Sequence, residues 1–401
     1  MTAILCRVSG DSRSRGAAVR FVVLLGIVSL LADTTYEGAR SVIGPYLGLL
    51  GASAPVIGLV AGAGELIGYA LRLGTGYLAD RTGRYWAITF AGYLINLGAV
   101  PLLALAGSWP LAVALMVLER VGKGIRTPAR DAMLSHATHQ VGRGWGFGLH
   151  EALDQVGAVL GPLVVAGVLF SQASYRTGFA VLLIPAALAI ASLAVARLHN
   201  PSPRDLEPTA TTLQATALPR AFWIYLAGAA LVGVGYVDFS LIAFHWGRGA
   251  VIPPATIPLL YALAMGVDAL AALVFGRIFD RAGVLVLAAG VGISLLFAPL
   301  VFLGGGVGAL VGVTLWGIGM GAQESIMRAA VAGMVESDRR GSAYGIFHAG
   351  YGACWFLGSA TMGVLYTVSV PLLVGFSVAA QALAIPLIIR SHRQIRLASW
   401  P

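Results

Sequence analysis

Apolar positions in this chain run in long unbroken stretches; they do not alternate and do not mark one face of a helix. Stretches bounded by Gly, Pro or charge cover 20–48, 53–79, 85–106, 109–134, 145–170, 176–197, 220–246, 254–279, 284–304, 307–332, 340–366 and 370–391. Each has roughly the 20 residues that a helix needs to cross a bilayer's hydrocarbon core. Backbone N–H and C=O groups find no water there, so such stretches predict helices. The pattern therefore gives an all-α integral membrane protein with twelve transmembrane helices. The one long polar connection, 198–219, is rich in Pro and Thr. It divides the chain into a tail (1–19), a six-helix bundle (20–197), the linker (198–219), a second six-helix bundle (220–391) and a second tail (392–401).

Composition agrees with the pattern. Of 401 residues, 58% are hydrophobic and 11% charged, against about 25% charged in a soluble domain. A string of water-soluble domains is excluded. The net charge of +9 would point to nucleic acid in a soluble protein, so the placement of the charges matters. Arg40, Arg72, Arg120, Lys123, Arg126 and Arg328 lie inside apolar stretches. The other basic residues gather at the two tails, near 81, at 130–143, 197–220 and 277–281, and at 339, while the intervening connections hold only Arg176 and Arg248. This alternation is the positive-inside pattern and predicts both termini in the cytoplasm, in an inner membrane of bacterial type. The bilayer accounts for the charge and nucleic acid is not expected. Cys6 and Cys354 form no disulfide framework. The Arg-rich start could head a cleaved leader, but Asp33 and Glu37 interrupt its apolar run, so 20–48 is read as a retained first span.

The halves repeat each other. Gly76-Tyr-Leu-Ala-Asp80-Arg81-Thr-Gly83 after span two matches Gly276-Arg-Ile-Phe-Asp280-Arg281-Ala-Gly283 after span eight. Phe147-Gly148 through Gly161 in span five matches Tyr344-Gly345 through Gly358 in span eleven. The two anchors share an offset of about 200 residues, as an internal duplication requires. Repeats of this kind put a binding site at their interface near the midplane and alternate its access by rocking one half against the other.

These residues resemble the major facilitator superfamily over nearly the whole chain. Gly76 to Arg84, with Asp80, Arg81 and Gly83, looks like its signature loop between spans two and three. Arg120-Val-Gly-Lys123-Gly124 is similar to its Arg-x-x-Gln-Gly motif, with Lys123 in the Gln position. Gly157, Gly161 and Pro162 resemble the Gly-x-x-x-Gly-Pro motif of its proton antiporters. The resemblance implies a drug/proton-antiporter type of exporter, in which the loop acts as a latch favouring one access state. Physically, Asp80 can face the N-terminus of another helix, a contact of about 0.3–1 kcal/mol. Gly276, Asp280 and Arg281 repeat the arrangement.

Nine of the 17 acids fall inside the stretches: Asp33, Glu37, Glu65, Glu119, Glu151, Asp154, Asp238, Asp268 and Glu324. Each costs about 2.5–3.5 kcal/mol at the bilayer centre even on the mildest scale. They must pair, hold a proton or face water. Glu119 with Lys123, and Glu324 with Arg328, have the i,i+4 spacing of ion pairs. Glu37 and Arg40 are set to cancel, which leaves Asp33 unbalanced unless it meets Arg120. Glu65 precedes Tyr69 and Arg72 by one and two turns and is a candidate for structural pairing. His150, Glu151, Asp154 and Gln155 crowd span five. Two carboxyls one turn apart in a low dielectric cannot easily ionise together, which suits a proton carrier. His348 and Tyr351 hold the corresponding places in span eleven. Asp238 and Asp268 have no local partner.

Tyr36, Tyr236, Phe239, Tyr344, Phe347, Tyr351, Trp355 and Phe356 share these spans and would suit lipophilic cations through their ring faces. His150-Glu151-Ala-Leu-Asp154 falls one residue short of the zinc-protease pattern, and Gly317 to Gly321 is small-residue helix packing, not a nucleotide loop. No metal, cofactor or enzymatic activity is expected. The sequence predicts a monomeric secondary transporter that uses protons to export a small amphipathic or cationic molecule. Two alternatives stand beside it: proton-coupled uptake of an anionic metabolite held by Arg40, Arg120 and Arg126, and a receptor or lipid-handling protein without driven transport.

Overall fold

A computed structural model describes residues 2–141, 143–200, 218–335 and 340–398, and their regular structure is helical throughout. The first half contains α1 (Thr2–Leu49), α2 (Ala54–Thr82), α3 (Tyr85–Leu102, prolonged by a 3-10 turn at Leu103–Leu105), α4 (Trp109–Val141) and α5 (Arg143–Phe170). Its sixth span is α6 (Tyr175–Val181) followed by α7 (Leu183–His199). The second half contains α8 (Arg220–Gly235) and α9 (Phe239–Gly249), which share one span, then α10 (Ile257–Ala282). The ninth span is α11 (Leu285–Ser294) with α12 (Phe297–Leu303). The last three are α13 (Gly305–Met334), α14 (Arg340–Val368) and α15 (Val370–Ala398). Ten segments among the described residues are long and apolar enough to cross a membrane. Helices α4 and α14 complete the twelve. Polar side chains from Lys123 to Asp131 on α4, and His348 and Tyr351 on α14, line an internal cavity and so need no lipid contact.

The duplication read from the sequence recurs in the packing. Gly83 ends α2 in the left-handed region at φ 65°, and its N–H donates to Ala79 O at 2.8 Å. Gly283 ends α10 at φ 60° with the same bond to Phe279 O. Only glycine adopts that backbone readily. A methyl on Gly161 of α5 would strike Thr34 O of α1, and one on Gly358 of α14 would strike Val234 O of α8. Gly321 of α13 lies so close to Asp268 O of α10 that a methyl would collide, and Gly124 of α4 faces Gly68 O of α2. Each pair of contacts relates one half to the other at the offset seen in the sequence. Gly317 packs likewise on Ala264, as the small-residue reading expected.

The two halves meet tightly at one end only. Gly44 of α1 abuts the Ser240 carbonyl of α9, and Gly48 abuts Phe244. Gly58 and Gly62 of α2 abut Ser359 and Phe356 of α14. These contacts lie beside the 50–53 turn and seal that end, called here the far face. At the opposite end lie Asn200, whose carbonyl accepts from Trp86 Nε1 at 3.0 Å, and the Gly283 turn, against His392. The 198–219 connection leaves the described residues from that end, the linker face.

The sequence read span seven as one helix, and the structure breaks it. Tyr236, Val237 and Asp238 leave the helix, and Asp238 caps α9 by accepting from Ser240 N at 2.8 Å. Freed carbonyls in the apolar interior need donors. Ser377 Oγ donates to Gly235 O at 2.6 Å and Trp316 Nε1 to Val237 O at 2.9 Å. Spans six and nine are interrupted more mildly, at Leu182 and at Leu295–Leu296, where the backbone stays near the helical region just ahead of Pro185 and Pro299.

Candidate functional site

Between the halves lies a cavity of about 490 Å³, lined from α1, α2, α4, α5, α10, α13 and α14. It reaches Arg130 and Asp131 toward the linker face. A narrower recess of about 40 Å³ continues past Arg40, Glu119, Arg120 and Asp238 toward the far face. Of the residues singled out in the sequence, Asp33, Glu37, Arg40, Glu151, Asp154, Asp268, Glu324, His348 and Tyr351 line the main cavity. Arg120 and Asp238 line the recess, and His150 is buried behind the wall.

The floor is an ion-pair cluster centred on Arg40. Its guanidinium lies 3.7 Å from Glu37, 3.4 Å from Glu65 and 3.2 Å from Asp238 at the start of α9. Arg120 bridges Glu65 at 3.3 Å and Glu119 at 3.2 Å, and Asn96 Nδ2 donates to Glu119 at 2.7 Å. Tyr261 of α10 donates its hydroxyl to Glu37 at 2.5 Å. Two of these contacts, Arg40 to Asp238 and Tyr261 to Glu37, join the first half to the second.

Several expected pairs are replaced. Glu119 goes to Arg120 and Asn96, not to Lys123, whose Nζ sits 4.0 Å over the Tyr36 ring. Arg120 does not meet Asp33, because its two acids are Glu65 and Glu119. Glu65 pairs with Arg40 and Arg120 across helices; Tyr69 stacks on His348 at 5.2 Å with Arg72 over its ring at 5.1 Å. Asp238, partnerless in the sequence, meets Arg40 from a position 198 residues away. The side chain of Arg328 lies outside the described residues, so its pairing with Glu324 does too.

The middle of the cavity holds carboxyls of a different kind. Asp33 is 7% exposed and its Oδ1 has no hydrogen-bond partner; its charged neighbours are Asp154, Lys123 and Arg126. Gly157 of α5 packs on α1 beside Leu30 O, with Asp33 Cβ at 3.0 Å from where its own Cβ would stand. The close approach of α1 and α5 thus sets Asp33 one turn from Asp154. Asp154 lies 3.4 Å from His150 Nδ1. Ser29 Oγ lies 3.4 Å from His150 Nε2 and accepts from Arg130 Nη1 at 2.9 Å. Glu151 is exposed to the cavity while Asp154 is turned toward α1, so the partner that shares Asp154's surroundings is Asp33. Sequence spacing favoured Glu151 because contact between α1 and α5 is invisible to it. In the second half, Asp268 is 2% exposed with Oδ1 unpartnered, and Tyr351 donates to Gln323 at 2.8 Å.

At the loop motif, Arg81 and Arg84 are exposed, a methyl on Gly76 would lie 3.5 Å from Pro128 Cβ and Gly83 makes the cap already described. The side chain of Asp80 lies outside the described residues. Asp280 and Arg281 are exposed at the end of α10, and Gly276 has open space around it. Pro162 is buried within α5, next to Gly161.

A two-fold bundle with a cavity at its centre, open toward one end, is the architecture the motifs implied. The family model of the Major Facilitator Superfamily matches residues 25–359. The chain belongs to the major facilitator superfamily. An uncharacterized protein of Mycobacterium tuberculosis is 43% identical over 383 residues, 94% of each chain. An uncharacterized MFS-type transporter of Methanocaldococcus jannaschii is 36% identical over 156 residues, 39% of each chain. Among solved structures, the nucleoside transporter NupG superposes with a TM-score of 0.71 at 13% identity, covering 95% of this chain and 100% of that one. At that identity the likeness is one of fold. As a superfamily member this chain is a multi-pass secondary transporter.

Proposed function

We propose that this transporter exports a small amphipathic molecule bearing a cationic group across the inner membrane in exchange for protons, with both termini cytoplasmic. The observation that carries the substrate charge is the wall formed by the second half: among its described residues it offers Asp268 and Glu324 with Phe347, Tyr351 and Trp355, and no Lys or Arg. Carboxylates beside ring faces suit an organic cation. For the proton, the buried Asp33 next to Asp154 and His150 supplies carboxyls that cannot all ionise cheaply at once. With the basic linker face in the cytoplasm, the open cavity accepts substrate from inside the cell. Asp80 would act as the latch at that end and Glu151 as a cavity acid. The close α1–α5 contact at Gly157 and Gly161 supports the antiporter reading of that motif.

Reconstituted vesicles test this. An imposed pH gradient should accumulate a labelled lipophilic cation, and Asp33→Asn should abolish gradient-driven accumulation while leaving exchange at equal pH. Full accumulation by that variant removes Asp33 as the coupling site. A second reading, uptake of an anion, is favoured by one feature: Arg126 and Lys123 line the cavity without an ion-pair partner among the described residues. Accumulation of a labelled carboxylate, and not of the cation, would select it.

A further inference from the structure

We infer that the substrate is a zwitterion, its anionic group held by Lys123 and Arg126 of α4 and its cationic group by Asp268 of α10. The inference rests on the transport reading above and deepens it, since it makes the two competing charge assignments parts of one site.

Arg126 carries the argument. It is 1% exposed, and neither Nε nor Nη1 has a hydrogen-bond partner. No carboxylate lies within ion-pair distance of it among the described residues, in contrast to Arg40, Arg120 and Arg130, each of which has one. Its guanidinium is held by rings instead, at 4.3 Å from the Tyr93 centroid and 5.8 Å from Tyr36, and Lys123 Nζ lies over the same Tyr36 ring at 4.0 Å. Ring faces orient a cation but accept no N–H hydrogen bonds of normal strength. A buried guanidinium with donors unspent is costly, and an entering carboxylate or phosphate would satisfy it in the forked geometry that arginine favours. Asp33 faces both cations from beyond ion-pair distance, and Glu37 also acts on Lys123. Protonation of Asp33 would weaken its hold on both, which ties the anionic group to the coupling acid.

Across the cavity, Asp268 is 2% exposed, also has an unspent oxygen, and has no ion pair among the described residues. A ligand with one charge would satisfy one wall and leave the other orphaned. A ligand with both would bridge α4 of the first half to α10 of the second, the two halves that rock against each other when access alternates.

The test uses purified protein in detergent, with thermal unfolding reporting binding. The probes are 4-aminobutanoate, 6-aminohexanoate and 8-aminooctanoate, with hexylamine and hexanoate as single-charge controls. At least one zwitterion should bind about tenfold more tightly than either control, the difference expected for one charge-assisted hydrogen bond. Arg126→Gln should reduce that zwitterion to the affinity of hexylamine, and Asp268→Asn should reduce it to that of hexanoate. Should Arg126→Gln fail to fold, Lys123→Gln replaces it with the same expectation. Equal binding by hexylamine or hexanoate, unchanged zwitterion affinity in the variants, or no binding by any of the three zwitterions overturns the proposal. The measurement involves no membrane and no gradient, so its failure leaves proton coupling untouched, just as failed coupling in vesicles would leave a positive binding result intact.

Discussion

Arg40 shows how one buried cation organises a site. Three carboxylates, from α1, α2 and the break before α9, converge on it, and its side chain is 16% exposed. Removing the common partner leaves the acids uncompensated, so Arg40→Gln should destabilise the protein by about 3–5 kcal/mol. Removing one acid is milder, because the cluster of Arg40 and Arg120 with Glu37, Glu65, Glu119 and Asp238 already has more acids than bases. Asn at position 238 can also keep the cap on Ser240 N–H. Asp238→Asn should therefore cost no more than about 1 kcal/mol. Thermal unfolding of both variants in one detergent checks the order, and a larger loss for Asp238→Asn would contradict the dominance of Arg40.

At the scale of elements, glycine positions decide how closely helices approach. A methyl on Gly157 would press into the Leu30 carbonyl, whereas nothing lies within 4 Å of a methyl on Gly167, ten residues on in the same helix. Gly157→Ala should cost about 1–3 kcal/mol through overpacking. Gly167→Ala should be neutral or gain up to about 1 kcal/mol, because alanine loses less backbone entropy in a helix. Denaturant unfolding of the pair measures the contrast. Equal effects would mean that α1 and α5 do not rely on close contact to hold Asp33 against Asp154. The break at Tyr236–Asp238 belongs to this scale too. Local sequence offered no Pro there, and the helix is interrupted because Ser377, Gln381 and Trp316 from other helices satisfy the freed backbone.

For the molecule as a whole, the two ends differ in access. The far face is shut by α1 on α9 and α2 on α14, and the cavity reaches Asp131 toward the linker face. In a background lacking Cys6 and Cys354, Asp131→Cys should react with a charged, membrane-impermeant thiol reagent from the linker face and be protected from the far face. Reaction from the far face at a comparable rate in the absence of substrate would show that the sealed end opens freely. Inside-out and right-side-out vesicles supply the two arms.

What the sequence determined by itself follows from local physics. Apolar length gave the spans, the distribution of Lys and Arg gave an expected orientation, and the loop and glycine motifs repeated at one offset gave the two-fold bundle. These signals sit within one helix or one turn, where spacing maps directly to position. The acids of the cavity were legible as a set, because a charge in an apolar run stands out. Which charge meets which was not: Arg40 with Asp238, Tyr261 with Glu37 and Asp33 with Asp154 join residues on different helices, and helical spacing says nothing about another helix's register. The i,i+4 rule accordingly paired Glu119 with Lys123, while packing gave Glu119 to Arg120 and Asn96 and laid Lys123 over Tyr36. Only the tertiary structure left Arg126 and Asp268 facing one cavity with polar atoms unspent, because being unpaired is a property of everything around a side chain and not of its neighbours in sequence.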